Sequence, residues 1–497
     1  MEKSNLFLSS NPIINNSEAS LLDKKAVEIN KIQPVILMEE AGEKLMQQLK
    51  NDFKDLQYEK IAILAGWGNN GGDALSLTRK LFFEGIITHL YLFNDKKGSE
   101  LYEVQKKTVE TLPIEIKDIT KLSKNINQYT LIIDGIFGIG YRYKEDKDTE
   151  NLFKIINNNN AKKISIDIPS GLNPIKDISI KADYTYSIGF VKSSFFNIAA
   201  RKNAGIIRDL KISFNIDNIN RELDIEYLHE IPKIEIDKSD FVHKYSRGSC
   251  ISIGGTQGKL GSIIYTANSA LRAGSGISLV LSDKDNIIPI NTISQSIIAD
   301  SIENINDYID KYNTIVIGPG LKLNEDQKAI IYDIIKLDKQ FLLDASFFTV
   351  FESSILKLFK KPPILTPHSQ EFISFFKDDA ANLKSDTIKT VSQTAQKFNC
   401  CILLKESFFI LALPDGKNIV IDKPQRLLAQ AGSGDILSGI IAGLFSQGYG
   451  PIDSILQGIR IFHQISGYFK DKGFISYSPE NFINLISKQL MRNIKNV

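Results

Sequence analysis

Ile61-Ala62-Ile63-Leu64-Ala65-Gly66-Trp67-Gly68-Asn69-Asn70-Gly71-Gly72-Asp73 is a five-residue apolar run that passes into a turn rich in glycine and asparagine. The run has the length of a strand buried on both faces. Behind the turn, Ala74 to Phe83 places Leu75, Leu77, Leu81 and Phe82 at helical spacing. A strand that enters a helix through glycines is half of a βαβ unit, and the alternation continues. Leu90 to Phe93, Leu131 to Ile133, Ile164 to Ile168, Tyr184 to Ile188 and Leu210 to Phe214 read as further strands. Ser17 to Asn30 and Ile36 to Leu49 read as two helices outside the sheet. Strands alternating with helices connect by right-handed crossovers and form a mostly parallel sheet.

Residues 215–237 turn charged and irregular around Pro232, which sets a domain boundary at about residue 225. Beyond it the alternation restarts. Strands are expected at Cys250 to Ile253, Ile277 to Leu281, Thr314 to Ile317, Phe341 to Leu343, Ile364 to Leu365 and Ile402 to Leu404, and helices at Ser262 to Arg272, Gln327 to Ile335 and Ile436 to Phe445. No repeat relates the halves. The expected fold class is α/β, with two different α/β domains in tandem over 1–225 and 226–497.

The bulk composition agrees. A chain of 497 residues exceeds one hydrophobic core, and 43% hydrophobic with 24% charged residues is the balance of a soluble globular protein. The 60 basic and 58 acidic side chains leave a charge of +2, which gives no electrostatic reason to expect nucleic acid or a membrane as partner. Cys250, Cys400 and Cys401 form no CxxC pair and read as buried thiols, so a reducing, cytoplasmic location is expected. No signal-peptide pattern occurs at the N-terminus, and no apolar run approaches the roughly 18 residues of a membrane span. The exposed-looking N-terminal helices leave a homo-oligomer open.

Two groups of segments carry chemistry. In the first half, the glycines of Gly66 to Asp73 let the backbone approach a ligand, helix-start amides favour phosphate, and Asn69, Asn70 and Asp73 offer oxygens suited to a hard cation. A turn that needs only its shape is the alternative reading. Asp134 heads Gly135 to Gly140, and Asp167 heads Ile168-Pro169-Ser170-Gly171. Ligands of open parallel sheets bind beyond the carboxyl ends of the strands, so these three clusters converge on one pocket. In the second half, Ala431-Gly432-Ser433-Gly434-Asp435 precedes a small-residue helix containing Gly439, Ala442 and Gly443. Its amides form an anion hole, and Asp435 is placed to take a proton from an attacking hydroxyl, the one base that phosphoryl transfer needs. An N-capping aspartate is the alternative. Ile253 to Thr256, Gly318-Pro319-Gly320 and Thr366-Pro367-His368 lie at other strand ends, and Lys405 can neutralise a nucleotide phosphate. A lone histidine is more often structural than catalytic, but the place of His368 between Pro367 and polar residues favours a site.

The set Gly68-Asn69-Asn70-Gly71-Gly72-Asp73, Asp134 to Gly140 and Asp167 to Gly171 resembles the YjeF N-terminal domain family, the NAD(P)H-hydrate epimerases, over residues 17 to about 215. The resemblance implies a Rossmann-like domain. It implies that Asn69, Asn70, Gly71, Gly72, Asp73, Gly138, Ile139, Gly140, Tyr141 and Asp167 contact a hydrated dinucleotide. It also implies that Asn70, Asp134 and Ser170 hold K⁺. Two departures stand out. Ala74 replaces the usual glycine after the motif aspartate, and Ile139-Gly140-Tyr141-Arg142 replaces the usual Thr-Gly-Leu continuation.

The second half resembles the ribokinase-like superfamily and, more closely, the ADP/ATP-dependent NAD(P)H-hydrate dehydratases, over about 238 to 490. The carriers are His243-Lys244, Ile253-Gly254-Gly255, Leu271-Arg272-Ala273-Gly274, Gly318-Pro319-Gly320, Thr366-Pro367-His368 with Glu371, and Ala431 to Asp435. The resemblance implies substrate contacts from Gly320, Thr366, Pro367, His368, Ser369, Gln370, Glu371, Phe372 and Asp435, with Asp435 catalytic. Nucleotide contacts are implied for Lys405, Glu406, Ser407, Phe408, Phe409, Ala431, Gly432, Ser433 and Gly434. Here Ser369-Gln370-Glu371 stands for the family's Pro-Gly-Glu, Lys405-Glu406 for its Lys-Gly, and Tyr245 for the glycine after His-Lys. The implied activity is repair: R and S hydrates of NADH or NADPH are interconverted, and the S form is dehydrated at the expense of ADP or ATP with Mg²⁺. The alternative is a ribokinase-type small-molecule kinase with a non-catalytic nucleotide-binding N-terminal domain.

Overall fold

The computed structural model describes residues 10–93, 97–142, 146–173, 177–213, 224–233 and 243–492. The chain divides into two compact units. One is 11–225 with 384–388; the other is built from 226–383 and the chain from 389 onward.

The strands of the first unit are β1 (Ser10–Ile14), β2 (Ile61–Ala65), β3 (Thr88–Leu92), β4 (Ile116–Asp118), β5 (Leu131–Gly135), β6 (Lys162–Ile166), β7 (Tyr184–Ile188), β8 (Val191–Lys192) and β9 (Ile206–Leu210). Seven of them form a sheet in the order β4-β3-β2-β5-β6-β7-β9, and every pair in it is parallel. The alternation of β2 explains its continuous apolar run. Ile61, Ile63 and Ala65 pack into a core on one face, and Ala62 and Leu64 into a core on the other. Helices Pro34–Asp52 and Asn69–Phe83 cover the first face. Chain order reverses between β2 and β5, and this topological switch point opens a crevice.

A further strand, β10 (Asp224–Leu228), spans the change of unit. The second unit then has β11 (Ser249–Ile253), β12 (Ile277–Ser282), β13 (Ile298–Ser301), β14 (Thr314–Ile317), β15 (Gln340–Leu343), β16 (Ile364–Leu365), β17 (Cys401–Lys405), β18 (Phe409–Ala412) and β19 (Lys417–Ile421). Their order is β13-β12-β11-β14-β15-β16-β17-β18-β19, parallel as far as β17 and antiparallel through the last two. The switch point falls between β11 and β14. Helix Ser433–Ser446 lies directly against helix Leu260–Arg272. A Cβ on Gly439 would come 2.3 Å from the carbonyl of Thr266, and one on Gly443 2.4 Å from that of Ala270. The small residues of the 431–446 segment thus serve helix contact. Gly439→Ala must push the two helices apart, and is expected to cost ~1–3 kcal/mol in urea unfolding.

Several expectations shift. The strand predicted at Ile164 to Ile168 stops at Ile166, because Asp167 takes the left-handed conformation (φ 63°). The strand predicted at Leu210 to Phe214 is Ile206–Leu210. Gly205 (φ 56°) turns the chain so that Ile206 pairs with Tyr184, and Phe214 lies outside the described residues. Most of the irregular stretch expected at 215–237, and most of the N-terminus before β1, also lie outside them. The helix predicted from Ala74 begins at Asn69, so the asparagine-glycine motif is itself the first helical turn. Cys250, Cys400 and Cys401 are buried as expected. Burial pushes the Cys250 and Cys401 thiols up to about 12.

Candidate active sites

In the first unit, a cavity of about 1090 Å³ lies at the carboxyl ends of β2 and β5. Its walls include Gly68 to Asn70 and Asp73 from one turn, and Ile136 to Arg142 from the other. The motif glycines shape it. A Cβ on Gly71 would meet the Gly66 carbonyl at 1.8 Å, so helix and strand can approach this closely only without a side chain. Gly71 and Gly72 are buried, while Asn69 is exposed. Trp67, Phe93 and Phe137 form an aromatic wall, and Tyr141 stacks on Phe137 at 4.2 Å. The bulky 139–142 loop therefore folds back onto its own strand end. Ala74 is equally accommodated: it is fully buried, with its methyl group against Gly135 and away from the cavity.

Among the charged groups that line this cavity, Asp23, Asp73, Asp167 and Lys192 interact with one another. Lys192 is almost fully buried. It ion-pairs with Asp167 and donates to Ser187 Oγ (3.2 Å) and the Ile188 carbonyl (2.7 Å). Asp167 also accepts from the Ile188 amide at 3.0 Å, which fixes its left-handed backbone. Burial, with Asp167 and Asp23 nearby, holds the Asp73 carboxyl well above the usual carboxylate range. Asp23 opens onto the cavity, yet the loss of bulk water there and the charge of Asp167 raise it to about 6.

Asp134 and Ser170 sit behind the cavity wall, both without solvent exposure. Asp134 accepts from Ser165 Oγ (2.8 Å), Ser170 N (2.9 Å), Ile136 N (3.2 Å) and Ser170 Oγ. No cation is among these partners, and burial raises its pKa. Asn70 is buried with neither its side-chain oxygen nor its nitrogen hydrogen-bonded. It lies beside Gly138, where a Cβ would come 3.2 Å from that of Asn70.

In the second unit, Gly432 (φ 85°) caps helix Ser433–Ser446 and places Asp435 in its first turn. Asp435 lines a hollow of about 490 Å³ with Gly258, Ser262, Tyr265 and Gly432. Burial raises its carboxyl to about 6. The charges of Asp344 and Glu371 add to this, and a hydrogen bond from Ser262 with the charge of Lys405 opposes it. A Cβ on Gly434 would lie 3.4 Å from Lys405 Nζ, which puts that ammonium over the helix start. Gly320 packs against the turn after β11. The amides of Gly255 and Thr256 donate to the carbonyls of Pro319 and Gly320, both at 2.9 Å.

The other expected residues divide. Thr366 is fully buried, its hydroxyl 3.3 Å from that of Ser438 and 3.4 Å from the Leu343 carbonyl. His368 is the N-cap of helix Ser369–Phe376. Its Nδ1 accepts from the Glu371 amide at 3.2 Å, while Glu371 accepts from the His368 amide at 2.9 Å. Burial raises the Glu371 carboxyl. The Phe372, Phe408 and Phe409 side chains are buried: Phe372 packs at a tilt against Phe376 and Phe409 lies against His463. Pro367 is buried, and Gln370, Ser407 and Ala431 are exposed. Glu406, the departure that set a carboxylate beside a nucleotide site, turns aside to accept from Ser369 N at 3.0 Å, at the start of a helix where negative charge is welcome.

Comparison with known proteins follows this division. Residues 34–194 match the family described as YjeF-related protein N-terminus, and residues 250–488 match NAD(P)H-hydrate dehydratase. The bifunctional NAD(P)H-hydrate repair enzyme Nnr of Dictyoglomus turgidum is 31% identical over 507 residues, covering 95% of this chain and 97% of the relative. The chain belongs to the bifunctional NAD(P)H-hydrate repair enzyme family. The Escherichia coli member is 26% identical over 449 residues, covering 88% and 85% of the two chains. An ADP/ATP-dependent NAD(P)H-hydrate dehydratase of Bacillus subtilis, co-crystallised with ATP and Mg²⁺, superposes with a TM-score of 0.45 at 20% identity, over 52% of this chain and 95% of that one.

Within this family member, sequence reading passed over Asp23, Lys192 and Asp344. Lys192 did carry a signal, a lone charge in the otherwise apolar Gly189-Phe190-Val191-Lys192. Asp23, one polar residue on an amphipathic helix, carried none. Asp344 stands at the carboxyl end of β15 as Asp134 does at that of β5, so the rule applied to the first half would have found it.

Proposed function

We propose that this chain restores hydrated NADH and NADPH. The first unit interconverts the R and S hydrates, and the second dehydrates the S hydrate at the expense of ADP or ATP. The observation that carries the second activity is Asp435 in the first turn of a glycine-capped helix, with the Lys405 ammonium over the same turn.

The fit to the nucleotide lies in that turn. Lys405 and the amides of Gly434 and Asp435 at the helix start are donors for phosphate oxygens, with Ala431 to Gly434 and Lys405 to Phe409 as the enclosing loops. The S hydrate would lie against Gly320 and the 366–372 segment. Phe372, Thr366 and Pro367 act there as buried support, and His368 and Glu371 hold the helix start. Mg²⁺ would accompany the phosphates and neutralise their charge. Asp435 takes the proton of the ring hydroxyl as that oxygen bonds to the terminal phosphoryl group, whose bond to the bridging oxygen breaks and releases AMP from ADP or ADP from ATP. The oxygen then leaves the ring as phosphate, the neighbouring ring carbon gives up a proton, and the double bond returns.

In the first unit, Asn69 to Asp73, Gly138 to Tyr141 and Asp167 surround the dinucleotide. Asp73, whose carboxyl is held well above the usual carboxylate range by burial and by Asp167 and Asp23, gives a proton to the ring hydroxyl, which leaves as water while the ring nitrogen takes up the bond as an iminium. Water returns on the opposite face and yields a proton to Asp73, which inverts the carbon. Asn70, Asp134 and Ser170 fit K⁺. The side-chain oxygen of Asn70 is buried without a partner, and Asp134 is a buried carboxylate with no cationic hydrogen-bond partner. The ion would supply that missing positive charge. Among the described residues no helix is long and apolar enough to cross a membrane.

A pH profile tests the base. With Asp435 raised to about 6, its ionised form dominates above that value. Dehydration of supplied S hydrate is therefore expected to be flat above pH 6 to 7 and to fall about tenfold per unit below it. A rate unchanged down to the ordinary carboxylate range would remove Asp435 from that role.

A further inference from the structure

Asp344 touches two residues of the dehydratase site, Lys405 and Ser438. It directly follows β15 and is 1% exposed. Its Oδ1 accepts from Lys405 Nζ at 2.8 Å, and its Oδ2 from Ser438 Oγ at 2.6 Å. Ser438 lies one turn beyond Asp435 on the glycine-capped helix and touches Thr366, at the end of β16. The Asp344 carbonyl is packed so closely on Gly318 that a Cβ there would meet it at 1.7 Å. The next residue, Ala345, takes a left-handed conformation (φ 50°), and the Ser346 amide donates to the Gly318 carbonyl at 3.2 Å. The Asp344 carboxylate thus ties the end of β17 to the helix that bears Asp435, while its backbone carbonyl packs on the end of β14.

Lysine is a flexible chain that ends in three donors. Free at this point, Lys405 would sample many rotamers, most of them directed away from Gly434. Bound to Asp344, it spends one donor on a fixed anchor and keeps the others at the helix start beside Gly434.

We propose that Asp344 is a positioning residue of the dehydratase site: it holds the Lys405 ammonium over the start of helix Ser433–Ser446, where the phosphates of ADP or ATP are bound. The inference rests on the dehydratase reading of this unit. It assigns Asp344 no contact with nucleotide. The effect of Asp344 reaches the phosphates through Lys405 and reaches the helix through Ser438.

The test measures binding by calorimetry on the full chain, with ATP, ADP and adenosine as probes in the presence of Mg²⁺. Asp344→Asn keeps the size of the side chain and an oxygen for Ser438 while removing the charge that holds Lys405. The variant is expected to bind ATP and ADP about 10- to 100-fold more weakly, the range for losing a charge-assisted contact, and to bind adenosine as the wild type does. Asp344→Glu should recover part of the loss. Epimerisation by the same polypeptide is expected to be unchanged, which reports that the chain is folded. Unaltered ATP binding in Asp344→Asn would overturn the positioning role, as would an equal loss for adenosine and ATP, the mark of general damage to the unit. Wild-type chain that binds neither ATP nor ADP would overturn the dehydratase reading itself.

Discussion

Asp435→Asn is expected to slow dehydration of the S hydrate by about a hundredfold to ten-thousandfold, the range of a lost general base. The nucleotide KM is expected to stay nearly constant, because Lys405 and the amides after Gly432 are untouched. Folding should not suffer. Burial and the neighbouring charges of Asp344 and Glu371 already oppose an ionised group at this position, so its removal relieves repulsion. Steady-state kinetics with supplied S hydrate and a thermal melt check both points. A variant that keeps more than a tenth of the wild-type rate would show that the proton leaves by another route. A matching loss of melting temperature would point to a structural role.

The second large effect is expected at Asp134→Ala. The side chain is fully buried and is the acceptor for two serine hydroxyls and the amides of Ile136 and Ser170. Truncation leaves these donors facing an apolar methyl group. At ~1–3 kcal/mol for each buried donor left unmade, the first unit should lose at least about 3 kcal/mol in urea unfolding. Epimerisation should disappear with it. Asp134→Asn separates packing from charge: it restores most of the volume but not the anion. In wild-type protein the unfolding midpoint should rise more with K⁺ than with Li⁺ at equal ionic strength, and that difference should vanish in Asp134→Asn. Identical midpoints in the two salts for the wild type would mean that Asn70, Asp134 and Ser170 do not form an ion site.

Much of this architecture was legible because strands buried on both faces write themselves as plain apolar runs. Ile61–Ala65, Tyr184–Ile188, Thr314–Ile317 and Ile364–Leu365 match their readings to the residue. Two strands at an edge or of minimal length were not seen. Ile116–Asp118 mixes an exposed isoleucine with charges, and Val191–Lys192 is too short to show a period. The hairpin β18–β19 did carry a signal, Pro414-Asp415-Gly416 between two apolar runs, with Gly416 at φ 91°. Boundaries failed where backbone geometry rather than side-chain pattern decides, as at Asp167 and Gly205. The site was legible in its glycine turns and strand-end aspartates. What stayed hidden were the residues that act through tertiary contact: Lys192 reaching Asp167, Asp344 gripping Lys405, and Glu406 turned away to Ser369 N. The His368 expectation shows the converse. Its polar setting at a strand end reflects an N-cap, a role that needs the same residues as a site would.

The most direct test of the account gives the purified chain a mixture of R and S NADH hydrates with Mg²⁺ and either ADP or ATP, and follows the absorbance band of the reduced nicotinamide ring. Full recovery of NADH from both forms is expected, with release of one phosphate for each NADH restored and with recovery from the S form alone in Asp134→Ala. A stable phosphorylated product without return of the band would contradict it and make the second unit a simple kinase.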